Sequence, residues 1–257
     1  MKKWIVVLLA SFIVLAGCGT EEKAEDVKGA SSDKKEEAAE EPKSAENSEP
    51  IGVRVPFDTQ DESDQDADLK DAIGKVKTAV QAKDTDALLE MVSEDVTSSF
   101  GSDGGKEAFM EEWQLDAAPE GSPFWNEAAD ILELGGAFVT EGRGSFLMPY
   151  VAARFPAEYD PAVYSVVNGT DVNLRSEPSV DSEVIQPLSN ELVKMGDPME
   201  ETYEMNGRQY HWVPIETTYG TTGYMVEKFV RSPMDYRMEF SKMDDGAWKV
   251  TAFVKGD

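Results

Sequence analysis

The chemistry open to this chain is bounded by two residues present once each, Cys18 and His211. His211 sits between Tyr210 and Trp212 on a predicted strand. It has no second histidine for a metal site and no serine or cysteine nucleophile motif around it. The residue types therefore predict neither a catalytic site nor a metal site. The chain has no G-x-x-x-x-G-K-[ST] and no G-x-S-x-G, and "GSDGG" lacks the preceding strand and spacing of a dinucleotide fingerprint, so no cofactor is expected. Carboxylates are abundant. A paired-carboxylate glycan hydrolase is the one enzymatic alternative, although Glu111 and Glu112 read as a solvated helix edge and Asp244 and Asp245 as a turn. The aromatic residues Tyr210, Trp212, Tyr219 and Tyr224 are the candidates for binding, because rings on a curved β surface stack on sugars or grip peptides while their polar tips stay wet.

Charge narrows the partners. With 24 Lys+Arg against 51 Asp+Glu the net charge is −27, a field that repels phosphate backbones, so nucleic acid is set aside. The N-terminus, "MKKWIVVLLASFIVLAGC", has two lysines followed by an apolar run too short to span a bilayer comfortably. Its closing "LAGC" resembles the lipobox of bacterial lipoproteins. That resemblance implies cleavage after residue 17, a diacylglyceryl thioether on Cys18, and a membrane partner engaged through a lipid anchor. The expected location is extracytoplasmic, on the cell membrane or the outer membrane. With Cys18 lipidated, no cysteine remains for a disulfide, so the fold must stand on its core.

Residues 18–68 are rich in Glu, Asp, Lys, Ala and Ser and nearly free of aromatics, which predicts a disordered acidic tether. Within it, residues 51–57 have the composition of a strand but are assigned to the linker. Helical spacing begins at Leu69, with Ile73, Val76 and Val80 on one face. A second helix follows, capped by Asp84 or Thr85 and carrying Leu88, Leu89 and Val92 inward, and a third holds Phe109 and Trp113. A fourth takes Ser122 as N-cap, Pro123 at its first position and Gly135 at its end. Strands then dominate, closing on a hairpin that turns at Asp244–Gly246. Helices first and an antiparallel sheet afterwards is an α+β pattern.

The opening "AVQAKDTDALLEMVSEDV" and the closing "DDGAWKVTAFVKGD" resemble the two ends of the cystatin-like, nuclear-transport-factor-2-like cone, in which helices wrap a curved antiparallel sheet. Between them, "DVNLRSEPSVDSEVIQPLSNELV" and "HWVPIETTYGTTGYMVEKFV" resemble the bacterial SH3-like domain, a small all-β barrel. The expected architecture is a cystatin-like domain of residues 69–163 and 231–257, interrupted by an SH3-like domain of residues 164–230. A long connection departs from the SH3-like pattern, and its Asn206-Gly207 pair signals a hairpin turn. Asn173 and Arg175 are expected to fix the loop that follows them. The resemblance implies recognition of peptidoglycan or an extracytoplasmic peptide, with an envelope protein as the alternative partner.

Overall fold

The computed structural model describes residues 51–98 and 104–256. The leader, Cys18, the tether up to residue 50 and most of the "GSDGG" loop lie outside the described residues. The fold is α+β and built on two sheets.

Helix α1 (Ala67–Ala82) starts where Asp66 accepts hydrogen bonds from the Asp68 and Leu69 amides, and it ends on Lys83 in the left-handed region. Its apolar stripe, Leu69, Ile73, Val76 and Val80, is buried. Helix α2 (Thr85–Met91) is capped by Asp84, whose carboxylate accepts from the Ala87 amide. The helix stops at Met91, whereas the apolar spacing carried it on to Val92. Val92 instead opens strand β1 (Val92–Thr97), which pairs in parallel with the last strand of the chain. Helix α3 (Gly105–Glu112) and helix α4 (Phe124–Glu133) follow. The N-cap of α4 is Pro123 and not the expected Ser122, which lies one residue further out with its Oγ accepting from the Phe124 amide; Gly135, at φ +70°, terminates α4 as expected.

Strands β2 (Ala137–Phe138) and β3 (Ser145–Met148) form a hairpin, and a short helix, α5 (Tyr150–Ala153), follows. The chain then leaves the first sheet for eight strands and returns to it in β12 (Arg237–Lys242) and β13 (Trp248–Val254). The first sheet has the order β1-β13-β12-β3-β2. It is mixed, because β1 runs parallel to β13, and this corrects the all-antiparallel expectation. Phe253 on β13 joins the helices to this sheet, its ring 4.9 Å from Phe124, 5.0 Å from Trp113 and 5.5 Å from Tyr236.

The intervening strands are β4 (Tyr164–Val167), β5 (Val172–Arg175), β6 (Val184–Leu188), β7 (Leu192–Met195), β8 (Thr202–Met205), β9 (Arg208–Thr217), β10 (Thr222–Val226) and β11 (Val230–Arg231). They make a second sheet in the order β11-β4-β7-β9-β10-β5-β6, with β8 paired to β9. The path is open: β11 and β6 end it without pairing to each other, so the expected barrel closure is not found. Its core comprises Val167, Leu174, Leu188, Val193, Val213, Ile215, Met225 and Val230.

The tether boundary predicted at residue 68 is also corrected. Residues 51–57 dock on the second sheet, with Pro56 bridging Glu191 and Phe57 buried beside Tyr150, Tyr164 and Leu192. Composition alone misassigned them, because Val55 and Phe57 pack against Tyr164, Val166 and Leu192, more than 100 positions away, while Val53 stays exposed.

Candidate functional site

Alternation along β9 decides which aromatic residues can meet a ligand. Val213 and Ile215 point into the core of the second sheet, so Tyr210 and Trp212 lie on its opposite face. Tyr224 on β10 sits opposite Pro214, and Val226 opposite Trp212, which brings Tyr224 and Val226 to that same face. Strand β8 extends the face. Its turn to β9 is the predicted Asn206-Gly207 pair, both residues at positive φ, which fits a twisted two-residue hairpin. Tyr203, opposite Tyr210 in register, places its ring 6.5 Å from that of Trp212 in an edge arrangement.

Between this arm and β5 runs a groove of about 320 Å³. Trp212, Tyr203, Met205 and Phe229 supply its apolar lining, and Asn173, Arg175 and Asp171 its polar groups. Trp212 is 3 % exposed, so it forms floor more than rim. Arg175 Nη1 donates to the Ser182 carbonyl at 2.8 Å, which ties down the loop after β5. Asn173 is exposed and free to face a ligand.

The other three aromatic candidates go elsewhere. Tyr224 packs into the cluster of Tyr210, Trp212 and Val226 without lining the groove. Tyr210 lines a separate cleft of about 570 Å³ between α4 and the second sheet, beneath two cations: the Arg208 guanidinium is 5.0 Å and the Lys228 ammonium 5.6 Å from its ring centre. Tyr219 accepts a hydrogen bond from Gln186 Nε2 at 2.8 Å. Burial, reinforced by the nearby Glu191 charge, raises the pKa of the Tyr219 hydroxyl.

The cleft beside Tyr210 is filled by paired charges. Arg208 grips Asp130 with both terminal nitrogens, at 2.9 and 2.8 Å, Lys228 reaches Glu133 at 3.1 Å, and Arg231 reaches Glu127 at 2.9 Å. The hydrogen bond to Asp130 raises the Arg208 pKa. Burial alone would lower that of Lys228, but Asp130 and Glu133 outweigh it. These cations are committed to α4 and give the cleft the character of a joint.

His211 is exposed, its Nδ1 lies 2.7 Å from the Met199 carbonyl oxygen, and its amide donates to Glu227. That contact places the ring proton on Nδ1 and holds the loop before β8. Glu111 and Glu112 are exposed on α3, and Asp244 and Asp245 are exposed in the β12–β13 turn. Among the described residues no group of three or more His, Cys, Asp or Glu is placed to hold a metal ion.

Reading the sequence missed Tyr203, Met205 and Phe229. The first two were accessible in principle, since Asn206-Gly207 fixes the hairpin and alternation from Trp212 assigns their face. Comparison of this chain with protein-family models, curated proteins and solved structures gives no match.

Proposed function

We propose that this chain is a non-catalytic lipoprotein of the cell envelope whose second sheet is an SH3-like domain that binds peptidoglycan through the peptide portion of the wall. In this reading Cys18 carries the lipid, and the first sheet with its helices is a cystatin-like support. The observation that carries the binding role is the groove between β5 and the β8 arm, where an aromatic and thioether floor is flanked by the exposed amide of Asn173. An apolar concavity with few polar groups is the usual form of a small recognition site. Tyr203 and Met205 on β8 line this groove and are partly buried against Tyr210, Trp212 and Val226, so each offers one side of its side chain to a ligand.

The test is co-sedimentation of the full chain with purified sacculi, alongside Tyr203→Ala and Asn173→Ala, with turbidity followed for lysis. Saturable sedimentation is expected, weakened about 30-fold by Tyr203→Ala, the size of an aromatic hot spot of about 2 kcal/mol. Absence of sedimentation at low and moderate salt by a folded chain would overturn wall binding and favour an envelope-protein scaffold. Release of soluble glycan would instead indicate a hydrolase.

A further inference from the structure

Residues 51–57 lie against the second sheet as a strap that bends at Gly52 and Val53 and makes one antiparallel β-bridge, Pro56 with Glu191. The Gly52 amide donates to the Thr218 carbonyl at 2.8 Å, the Leu192 amide to the Val55 carbonyl at 2.9 Å, and the Phe57 amide to the Asn190 carbonyl at 2.7 Å. The Thr218 hydroxyl donates to the Val53 carbonyl at 2.6 Å. Main-chain bonds of this kind hold an extended segment, and side-chain pockets then choose its sequence. Two pockets do so here. Phe57 fills the apolar one, between Tyr150, Tyr164 and Leu192. Arg54 addresses the other, whose base is the carboxylate of Glu191.

Glu191 is 1 % exposed, and the strap satisfies it incompletely. Its Oε1 takes both the Ser189 amide and Arg54 Nε, each at 3.2 Å. Among the described residues its Oε2 is buried without a hydrogen-bond partner. Arg54 leaves more than half of its side chain in solvent and spends Nη2 on the Ser189 carbonyl at 2.6 Å. A buried carboxylate is costly to leave half paired, and the group that satisfies both oxygens at once is a planar guanidinium in the two-pronged geometry. Lysine, a point charge, supplies no such fork.

We propose that the Glu191 pocket is a recognition site for an extended, arginine-bearing segment supplied in trans by another exported protein, and that residues 51–57 occupy it in cis as a weaker stand-in. The spacing from Arg54 to Phe57 gives the partner's pattern: arginine, then an apolar residue three positions later. The chain's net charge of −27 draws such basic segments towards it. The strap is tethered to its own site at an effective concentration on the order of millimolar, so displacement requires a segment that makes the second guanidinium contact. This site is distinct from the groove of Trp212.

The experiment uses the full chain, its exposed-residue variant Arg54→Ala, and the near-isosteric Glu191→Gln. Probes are a synthetic peptide copying residues 51–58 and its versions with lysine or glutamine in place of arginine. Binding is read by fluorescence anisotropy, and the strap by hydrogen exchange at the Gly52, Phe57 and Leu192 amides. The arginine peptide is expected to bind Arg54→Ala at least tenfold more tightly than it binds the unaltered chain, and at least tenfold more tightly than the lysine peptide does. Glu191→Gln, folded by circular dichroism, is expected to lose that discrimination. Equal binding of the three peptides to Arg54→Ala, or unchanged discrimination in Glu191→Gln, would overturn the proposal. A concentration-dependent dimer of the unaltered chain with exchanged straps would assign the site to a second copy and overturn it as well.

Discussion

At the scale of the residue, one carboxylate joins a helix start to a distant strand. Asp66 caps α1 through the Asp68 and Leu69 amides, each 3.0 Å from Oδ1, and its Oδ2 lies 3.4 Å from Lys242 on β12. The Leu69 amide is the main cause of its lowered pKa; Lys242 and the Asp68 amide act in the same direction, and burial opposes them. Folding therefore makes Asp66 a stronger acid than it is in the unfolded chain. Its stabilisation is complete above the ordinary aspartate value of about 3.9 and disappears as the pH falls through the lower folded value. Asp66→Ala is expected to cost about 1 kcal/mol at neutral pH, the usual worth of an N-cap. Urea unfolding of the two proteins at neutral pH and again well below the folded pKa checks this: the gap should narrow on acidification, and a constant gap would show that the cap acts without its charge.

At the scale of the element, the sequence was legible where neighbours along the chain decide and illegible where distant strands decide. The stripe Leu69, Ile73, Val76 and Val80, the Asn206-Gly207 turn and the end of α4 at Gly135 all follow from local spacing and backbone preference. Strand β1 does not. Val92 and Val96 are four apart, a spacing that also continues the α2 helix, and only the parallel pairing of Val92 with Val250 resolves the choice. The strap is lost for the same reason, since Arg54 and Ser189 are 135 positions apart. Of the four aromatic residues expected to bind, one lies in the candidate groove: Trp212 is on its floor, whereas Tyr210, Tyr219 and Tyr224 lie outside it. Nothing in a single sequence says on which side of a β9 residue another strand will lie. Close approach between elements is visible at Gly136, the residue before β2. A Cβ there would press against the Leu147 carbonyl and lie 2.7 Å from the Phe146 ring and 2.8 Å from Met148 Cγ. Gly136→Ala is expected to destabilise by about 1–3 kcal/mol, the cost of overpacking, read as a lower urea midpoint with an unchanged slope. An unchanged midpoint would mean that the β2–β3 hairpin yields at no cost.

At the scale of the molecule, two opposing electrostatic effects act over different distances. The pairs that join α4 to the second sheet, Arg208 with Asp130, Lys228 with Glu133 and Arg231 with Glu127, span 2.8–3.1 Å and are partly shielded from solvent. Partly exposed pairs of this kind contribute about 0.2–1 kcal/mol each. Against them stands the mutual repulsion of the excess carboxylates in a chain of net charge −27. Salt separates the two. The screening length falls from about 30 Å at 0.01 M to about 3 Å at 1 M, so added salt removes the long-range repulsion well before it weakens contacts at hydrogen-bond distance. The chain should therefore become more stable as salt rises, its melting temperature climbing by about 5 °C between low and near-molar sodium chloride, equivalent to some 2 kcal/mol for a fold of this size. Asp130→Asn should melt lower at every salt concentration while keeping the same upward slope, because it removes a contact and leaves most of the repulsion in place. A melting temperature that fell with salt would show that the joint between helix and sheet outweighs the charge of the whole, and that the two sheets are held together chiefly by their ion pairs.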